Sequence, residues 1–175
     1  MKIRTVLPFV LFPAIIYFLS FYGTPISFLT PVAILCGFLL SGLAEYFIHR
    51  IAFHNRRLPR KLKKLISHGH VYHHRYPQLT DDLTLPLGIT LPMSLLLLFL
   101  SCLIFGVSYA FWIYIGIVGS YFLYEFVHYS SHHLTINLPY FKQMREYHLS
   151  HHKDSPNSKF MITNPLWDWV FRTNR

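Results

Sequence analysis

Four apolar stretches, about 5–21, 26–48, 85–105 and 107–127, constrain the fold of this chain more than any other feature. Each has roughly the 17–25 residues that an α-helix needs to cross a bilayer core. The first two are joined by the short, uncharged Tyr22-Gly23-Thr24-Pro25, and the second two by little more than Gly106. The expected architecture is therefore all-α: an integral membrane protein with four transmembrane helices in two hairpins. Composition agrees, since 53% of the residues are apolar and only 13% are charged, against roughly 25% charged in an average soluble domain. At 175 residues, 1–175 reads as a single domain with no repeat and no internal boundary.

The charges orient the hairpins. All sixteen Lys and Arg residues lie at Lys2 and Arg4, within Arg50–Arg75, or in the tail from Lys142 to Arg175, and neither hairpin turn carries one. The positive-inside rule then places both termini and the central segment in the cytoplasm. Residues of about 49–84 and 128–175 are expected to form a cytoplasmic helical cap. The net charge of +9 and the run Arg56-Arg57-Leu-Pro-Arg60-Lys61-Leu-Lys63-Lys64 follow from that topology and from anionic headgroups, so no nucleic-acid partner is expected. The same run offers a surface for an acidic redox partner. Met-Lys-Ile-Arg before an apolar run imitates a signal peptide, but Ser20-Phe21-Tyr22-Gly23 is a poor cleavage site, so an uncleaved first helix is expected. Cys36 and Cys102 both fall inside expected spans and read as small apolar residues.

The twelve histidines occur only in four tight clusters: His49 and His54; His68, His70, His73 and His74; His128, His132 and His133; and His148, His151 and His152. Every cluster falls on the expected cytoplasmic side, at or just beyond a helix end. Neutral imidazole is the commonest metal ligand and suits iron, zinc, copper or nickel. Gathering so many of them implies more than one metal ion. On a helix, residues three or four apart share a face, so His70, His73 and His74 are expected to converge, as are His148, His151 and His152, with His128 and His132 as a further pair. His49 and His54 stand about 140° apart on an ideal helix, which suits two different ions or a helix that frays near His54. A single such triplet is as well explained by a solvated helix face. Four clusters brought to one membrane face are not.

Two carboxylates belong with these clusters. Glu45 lies one turn before His49, and Glu125 three residues before His128, both near the ends of apolar spans. A carboxylate at such depth is costly unless partnered. Each is expected to accept the free N–H of a ligating imidazole, fixing its tautomer and orientation; a pairing with a nearby Arg such as Arg50 is the alternative. Asp81, Asp82 and Asp154 sit in polar loops and read as solvated.

The order of boxes, His49-x4-His54, His70-x2-His73-His74, His128-x3-His132 and His148-x2-His151-His152, set among hydrophobic hairpins, resembles the fatty acid hydroxylase superfamily, which also holds sterol oxidases and desaturases and carotene hydroxylases. Glu45-Tyr-Phe-Ile-His49-Arg50, His73-His74-Arg-Tyr-Pro77, Tyr124-Glu125-Phe-Val-His128-Tyr129 and Trp167-Asp168-Trp169-Val-Phe171 are most similar to the fatty acid 2-hydroxylase branch. The resemblance runs from about Gly42 to the end; the first hairpin fits by hydropathy alone. It implies ten metal ligands: His49, His54, His70, His73, His74, His128, His132, His148, His151 and His152. His68 and His133 are left over, and the choice between His132 and His133 stays open. Eukaryotic relatives often carry a fused cytochrome b5 domain, and none is expected within 1–175. Glu125 stands where the branch commonly has Asp.

The resemblance further implies O2-dependent hydroxylation of a lipid acyl chain at its 2-position, on a fatty acid or an N-acyl sphingolipid-like substrate. Breaking an unactivated C–H bond needs a strong oxidant, which two Fe ions make from O2 with electrons from a separate donor such as cytochrome b5 or ferredoxin. Zn is expected to displace iron readily during purification. Sterol or carotenoid oxidation is the alternative within enzymes, and a zinc-binding or zinc-transporting membrane protein the alternative outside them. Transport favours polar residues near the bilayer midplane, and these spans offer almost none. The implied setting is a bacterial inner membrane or the endoplasmic reticulum.

Overall fold

A computed structural model describes residues 26–55, 57–79 and 87–175. The expected first span, its turn, and the loop before the second hairpin lie outside the described residues. Among the described residues every regular element is helical: α1 (Thr30–Phe47), a π-helical turn (Ile48–Phe53), α2 (Arg60–Arg75), α3 (Leu87–His133), α4 (Pro139–Lys153) and α5 (Leu166–Val170). Their contacts sort into two units, one of Met1–Ser41 with Thr84–Tyr121 and one of Gly42–Leu83 with Phe122–Arg175.

In the first unit, α1 starts from a reciprocal exchange in the manner of a capping box. The Ser27 N–H donates to Thr30 Oγ1 at 3.0 Å while Ser27 Oγ accepts the Leu29 N–H at 3.2 Å. Pro31 then sits in the first turn, where a missing N–H costs nothing. The apolar part of α3 runs from Pro92 to His133, 42 residues, about 63 Å if straight and roughly twice a bilayer core. It is not straight. Gly106, at φ 75° and ψ 159°, interrupts the helix, and with open space where a Cβ would stand, the positive φ alone accounts for glycine there. The arms on either side fold back on each other: Ser94 hydrogen-bonds the Tyr114 hydroxyl, and Leu97 packs on the cluster of Ala33, Ile113 and Ile117.

Two more glycines fix how closely α1 and α3 approach. A Cβ on Gly37 would fall on the Ile113 carbonyl, and one on Gly116 on the Ile34 carbonyl. This reciprocal contact of backbone on backbone is the small-residue packing used between membrane helices. Leu103, Ile104 and Val107, beside the Gly106 bend, are each about two-thirds exposed, and α1 leaves Val32, Leu35 and Leu40 outward. Helices this apolar on their outer sides suit lipid rather than water. Thr30–Phe53 and Pro92–His133 are both long and apolar enough to cross a membrane.

In the second unit, two small cores flank the histidines. One joins Val127 of α3, Met144 of α4 and Ile162. The other joins Tyr46, Phe160 and Met161, with Trp167 of α5 against it. Pro139 opens α4 at its first turn, and α2 ends at Tyr76-Pro77, where proline disfavours further helix.

Candidate metal centre

Ten imidazoles gather into two groups of five. His49, His54, His70, His74 and His151 form group one, and His73, His128, His132, His148 and His152 form group two, with one ring nitrogen from each residue within 4.8 Å of those of its group. Three local features produce this partition.

The first is the π-helical turn. The His54 N–H donates to the His49 carbonyl at 3.2 Å, an i→i+5 bond that widens the turn so that residues five apart share a face. The rings of His49 and His54 lie 5.0 Å apart. The two therefore belong to one group rather than to two ions, because the backbone between them is underwound instead of α-helical or frayed.

The second is a split inside each triplet. His70, His73 and His74 do not converge on one point: His70 and His74, one turn apart on α2, enter group one, and His73 enters group two. On α4 the assignment is reversed, with His148 and His152 in group two and His151 in group one. Successive residues on a helix differ by about 100°, enough to aim the middle ring at the neighbouring group. The groups adjoin, since the rings of His74 and His152 stack at 4.2 Å. His128 and His132, one turn apart on α3, both join group two. His133 enters neither group and lies against Tyr129. The side chain of His68 is outside the described residues.

The third is ring orientation. Nε2 faces Nε2 between His54 and His70 at 2.8 Å, His74 and His151 at 3.2 Å, His73 and His128 at 3.0 Å, His132 and His148 at 2.8 Å, and His148 and His152 at 3.1 Å. Two nitrogens each about 2.1 Å from one ion and at right angles would be about 3.0 Å apart. Donors so arranged fit a metal ion. The rings are also held neutral, as ligation requires. Burial, reinforced by neighbouring imidazoles, brings His54 and His73 down to about 3 and His74 to about 4. Burial also carries His70 and His148 well below the ordinary histidine value.

Outside the rings, group one is supported by a segment that sequence reasoning missed. His49 Nδ1 donates to the Phe160 carbonyl, and His151 Nδ1 to the Ser158 carbonyl at 2.6 Å. These bonds fix the tautomer that leaves Nε2 as the inward lone pair. Glu45, expected to accept an imidazole N–H, instead accepts the Ile162 N–H at 2.7 Å and the Thr163 hydroxyl at 3.1 Å. The reason is competition: a backbone carbonyl already occupies the outer nitrogen of His49, and the carboxylate satisfies the buried donors that follow it. Glu125 is buried one turn before His128. Asp168 holds the same segment from the other side, accepting the Phe160 N–H at 3.0 Å and the Met161 N–H at 2.8 Å. Its only trace in the sequence is its place in the Trp167-Asp168-Trp169 run. Backbone carbonyls leave no trace at all.

Two adjoining five-imidazole groups carried by apolar helices are built to hold a pair of metal ions. Comparison with known proteins gives the family: residues 34–173 match the model of the fatty acid hydroxylase family. The chain belongs to that family of hydroxylating oxidoreductases. It is 30% identical over 171 residues to the dihydroceramide fatty acyl 2-hydroxylase FAH2 of Arabidopsis thaliana, covering 95% of this chain and 71% of the relative. It is 29% identical to the ceramide very long chain fatty acid hydroxylase SCS7 of Saccharomyces cerevisiae, covering 96% of this chain but only 44% of that protein. The solved hydroxylase domain of full-length Scs7p superposes with a TM-score of 0.82 at 20% identity, over 97% of this chain and 64% of that one. The fold is shared with it.

Proposed function

We propose that this protein hydroxylates the 2-position of a fatty acyl chain, free or amide-linked in a sphingolipid-like lipid, with a pair of iron ions held by the ten gathered histidines. The observation that carries the reading is the division of ten imidazoles into two groups of five in a chain of the fatty acid hydroxylase family. When bound, the irons supply activation of O2 for attack on an unactivated C–H bond. The chain supplies the rest. His49, His54, His70, His74 and His151 would hold one ion, and His73, His128, His132, His148 and His152 the other. The carbonyls of Ser158 and Phe160 keep two of those rings oriented, and buried Glu125 is assigned the same service beside His128.

The placement of the ligands supports a lipid substrate. His49 belongs to the apolar helix Thr30–Phe53, and His128 and His132 to the apolar helix Pro92–His133, so an acyl chain reaches the centre along surfaces that are already apolar. Together with the charge distribution, this supports four spans with the metal centre and both termini cytoplasmic. Arg60, Lys61, Lys63 and Lys64 begin the helix that carries His70, His73 and His74, and we assign them to docking a separate acidic electron donor, such as a cytochrome b5 or a ferredoxin.

Comparative mass spectrometry of lipids from cells with and without the gene tests this. The expected result is one added oxygen on acyl chains, located by fragmentation to the carbon next to the carbonyl. Unchanged acyl chains with altered sterols or carotenoids would overturn it.

A further inference from the structure

Between α4 and α5, the carbonyls and the amides of residues 158–161 go to different partners. The carbonyls of Ser158 and Phe160 accept His151 and His49 of group one. The amides go elsewhere: Lys159 N–H to the Thr173 carbonyl at 2.7 Å, and Phe160 and Met161 N–H to the carboxylate of Asp168. Lys159 holds a left-handed φ of 56° and Arg172 one of 57°. Such conformations persist in non-glycine residues only where the surroundings enforce them.

Asp168 is fully buried and takes two donors on each oxygen. Oδ1 accepts Phe160 N–H and the Thr173 hydroxyl at 2.7 Å; Oδ2 accepts Met161 N–H and the Tyr147 hydroxyl at 3.0 Å. With four donors converging, the acceptor-only carboxylate is the form that fits. Thr173 commits its proton to Asp168, so the Tyr46 hydroxyl donates to Thr173 at 3.1 Å and itself accepts from Arg50 at 2.6 Å. Arg50 is thus linked to the buried carboxylate by a hydrogen-bonded chain of two hydroxyls. Tyr147 lies one turn before His151 on α4, so the same carboxylate ties that helix to the segment.

Four rings of group two are held differently. Among the described residues, the Nδ1 atoms of His73, His132, His148 and His152 are buried without a hydrogen-bond partner.

We propose that Asp168 is a positioning residue that sets the aim of His49 and His151 through the 158–161 backbone, and so governs metal affinity at group one in preference to group two. This rests on the dimetal reading above. The geometry is specific to it: neither oxygen touches an imidazole, yet both reach amides whose neighbouring carbonyls do. Outer partners of metal-bound histidines commonly govern affinity by about 10–100-fold.

The test is a cobalt(II) titration of the full chain in nanodiscs, read by bound metal and by the visible absorption of each ion. His74→Ala and His73→Ala mark which spectral component belongs to group one and which to group two. Wild type should bind two ions; fewer would strike the dimetal reading itself rather than the role of Asp168. Asp168→Asn keeps the shape but loses acceptors, and should weaken the group-one ion by about 10–100-fold while the group-two ion changes by less than about threefold. Two ions bound as in wild type, or both weakened alike, would overturn the proposal, the second result marking a general folding role. Should Asp168→Asn fail to fold, Thr173→Val decides. It removes one of the four donors, leaves the amides in place, and should weaken the same ion selectively; an unselective or absent effect refutes the assignment.

Discussion

Replacing Glu45 probes the 160–163 backbone directly, and its effect can be worked out bond by bond. The carboxylate accepts the Ile162 N–H at 2.7 Å and the Thr163 hydroxyl at 3.1 Å, and Ile162 and Thr163 are both almost completely buried. Glu45→Gln keeps one acceptor. The bond to Ile162 changes from charge-assisted to neutral, a loss of about 1 kcal/mol. The amide NH2 now faces the Thr163 hydroxyl and forces it to reverse from donor to acceptor, at a cost of about 0.5–1 kcal/mol. The sum, about 1–2 kcal/mol, corresponds to a roughly 5–30-fold faster opening of the segment. Glu45→Ala leaves both donors stranded at about 1–3 kcal/mol each, so its effect should exceed 30-fold unless water enters. Hydrogen exchange of the amides at 160–163, read by mass spectrometry, measures this without reference to activity. If Ile162 exchanges at the wild-type rate in both variants while metal affinity falls, Glu45 acts directly on an imidazole and the reasoning fails.

Three further outcomes are expected. The neighbours His73 and His74 serve different groups, so His73→Ala and His74→Ala should each reduce occupancy of a different ion; loss of the same ion from both would refute the partition. Gly116→Val should disrupt the α1–α3 contact, since even a Cβ there meets the Ile34 carbonyl, and the thermal midpoint should fall by several degrees; an unchanged midpoint would show that the helices separate freely. In metal-free protein the cap should weaken as pH falls below about 6.5. His73, His54 and His74 stay neutral in the folded state down to about 3, 3 and 4, whereas the unfolded chain takes up protons first, so stability is full above the unfolded value and is lost on acidification. Buried His73 alone should contribute about 1 kcal/mol of that loss between pH 7 and pH 5.5. A cap whose denaturation midpoint is flat over that range would contradict it.

Much of the architecture was legible because it rests on side chains. The turn expected between 105 and 107 is the helix break at Gly106, since a glycine between two apolar runs is the natural place for a positive φ. The ten histidines singled out by box order are the ten that the structure gathers. Their partition was not legible. Spacings of three and four residues report a common face, but a face spans enough angle to serve two adjoining groups, so the triplets on α2 and α4 divide. Five-residue spacing was misleading for a different reason: periodicity arguments assume α-helical pitch, and the segment from Ile48 to Phe53 is π-helical. Glu45 and Asp168 act on backbone amides, and no residue type announces which carbonyl will hold an imidazole.

The π-helical turn has a consequence for how this chain can vary. It works as a phase adjuster: one residue more than an α-helical turn lets His49 and His54 coincide while the chain leaves α1 in the direction that α2 requires. Ile51, half exposed, and Ala52 can differ in kind. A single deletion between the two histidines would leave them four residues apart, on one face of an ordinary α-helical turn, and the wide hydrogen bond would no longer be needed. The five-residue spacing and the π-helical turn are thus one feature: the extra residue is absorbed as a wider turn, and the two rings still meet.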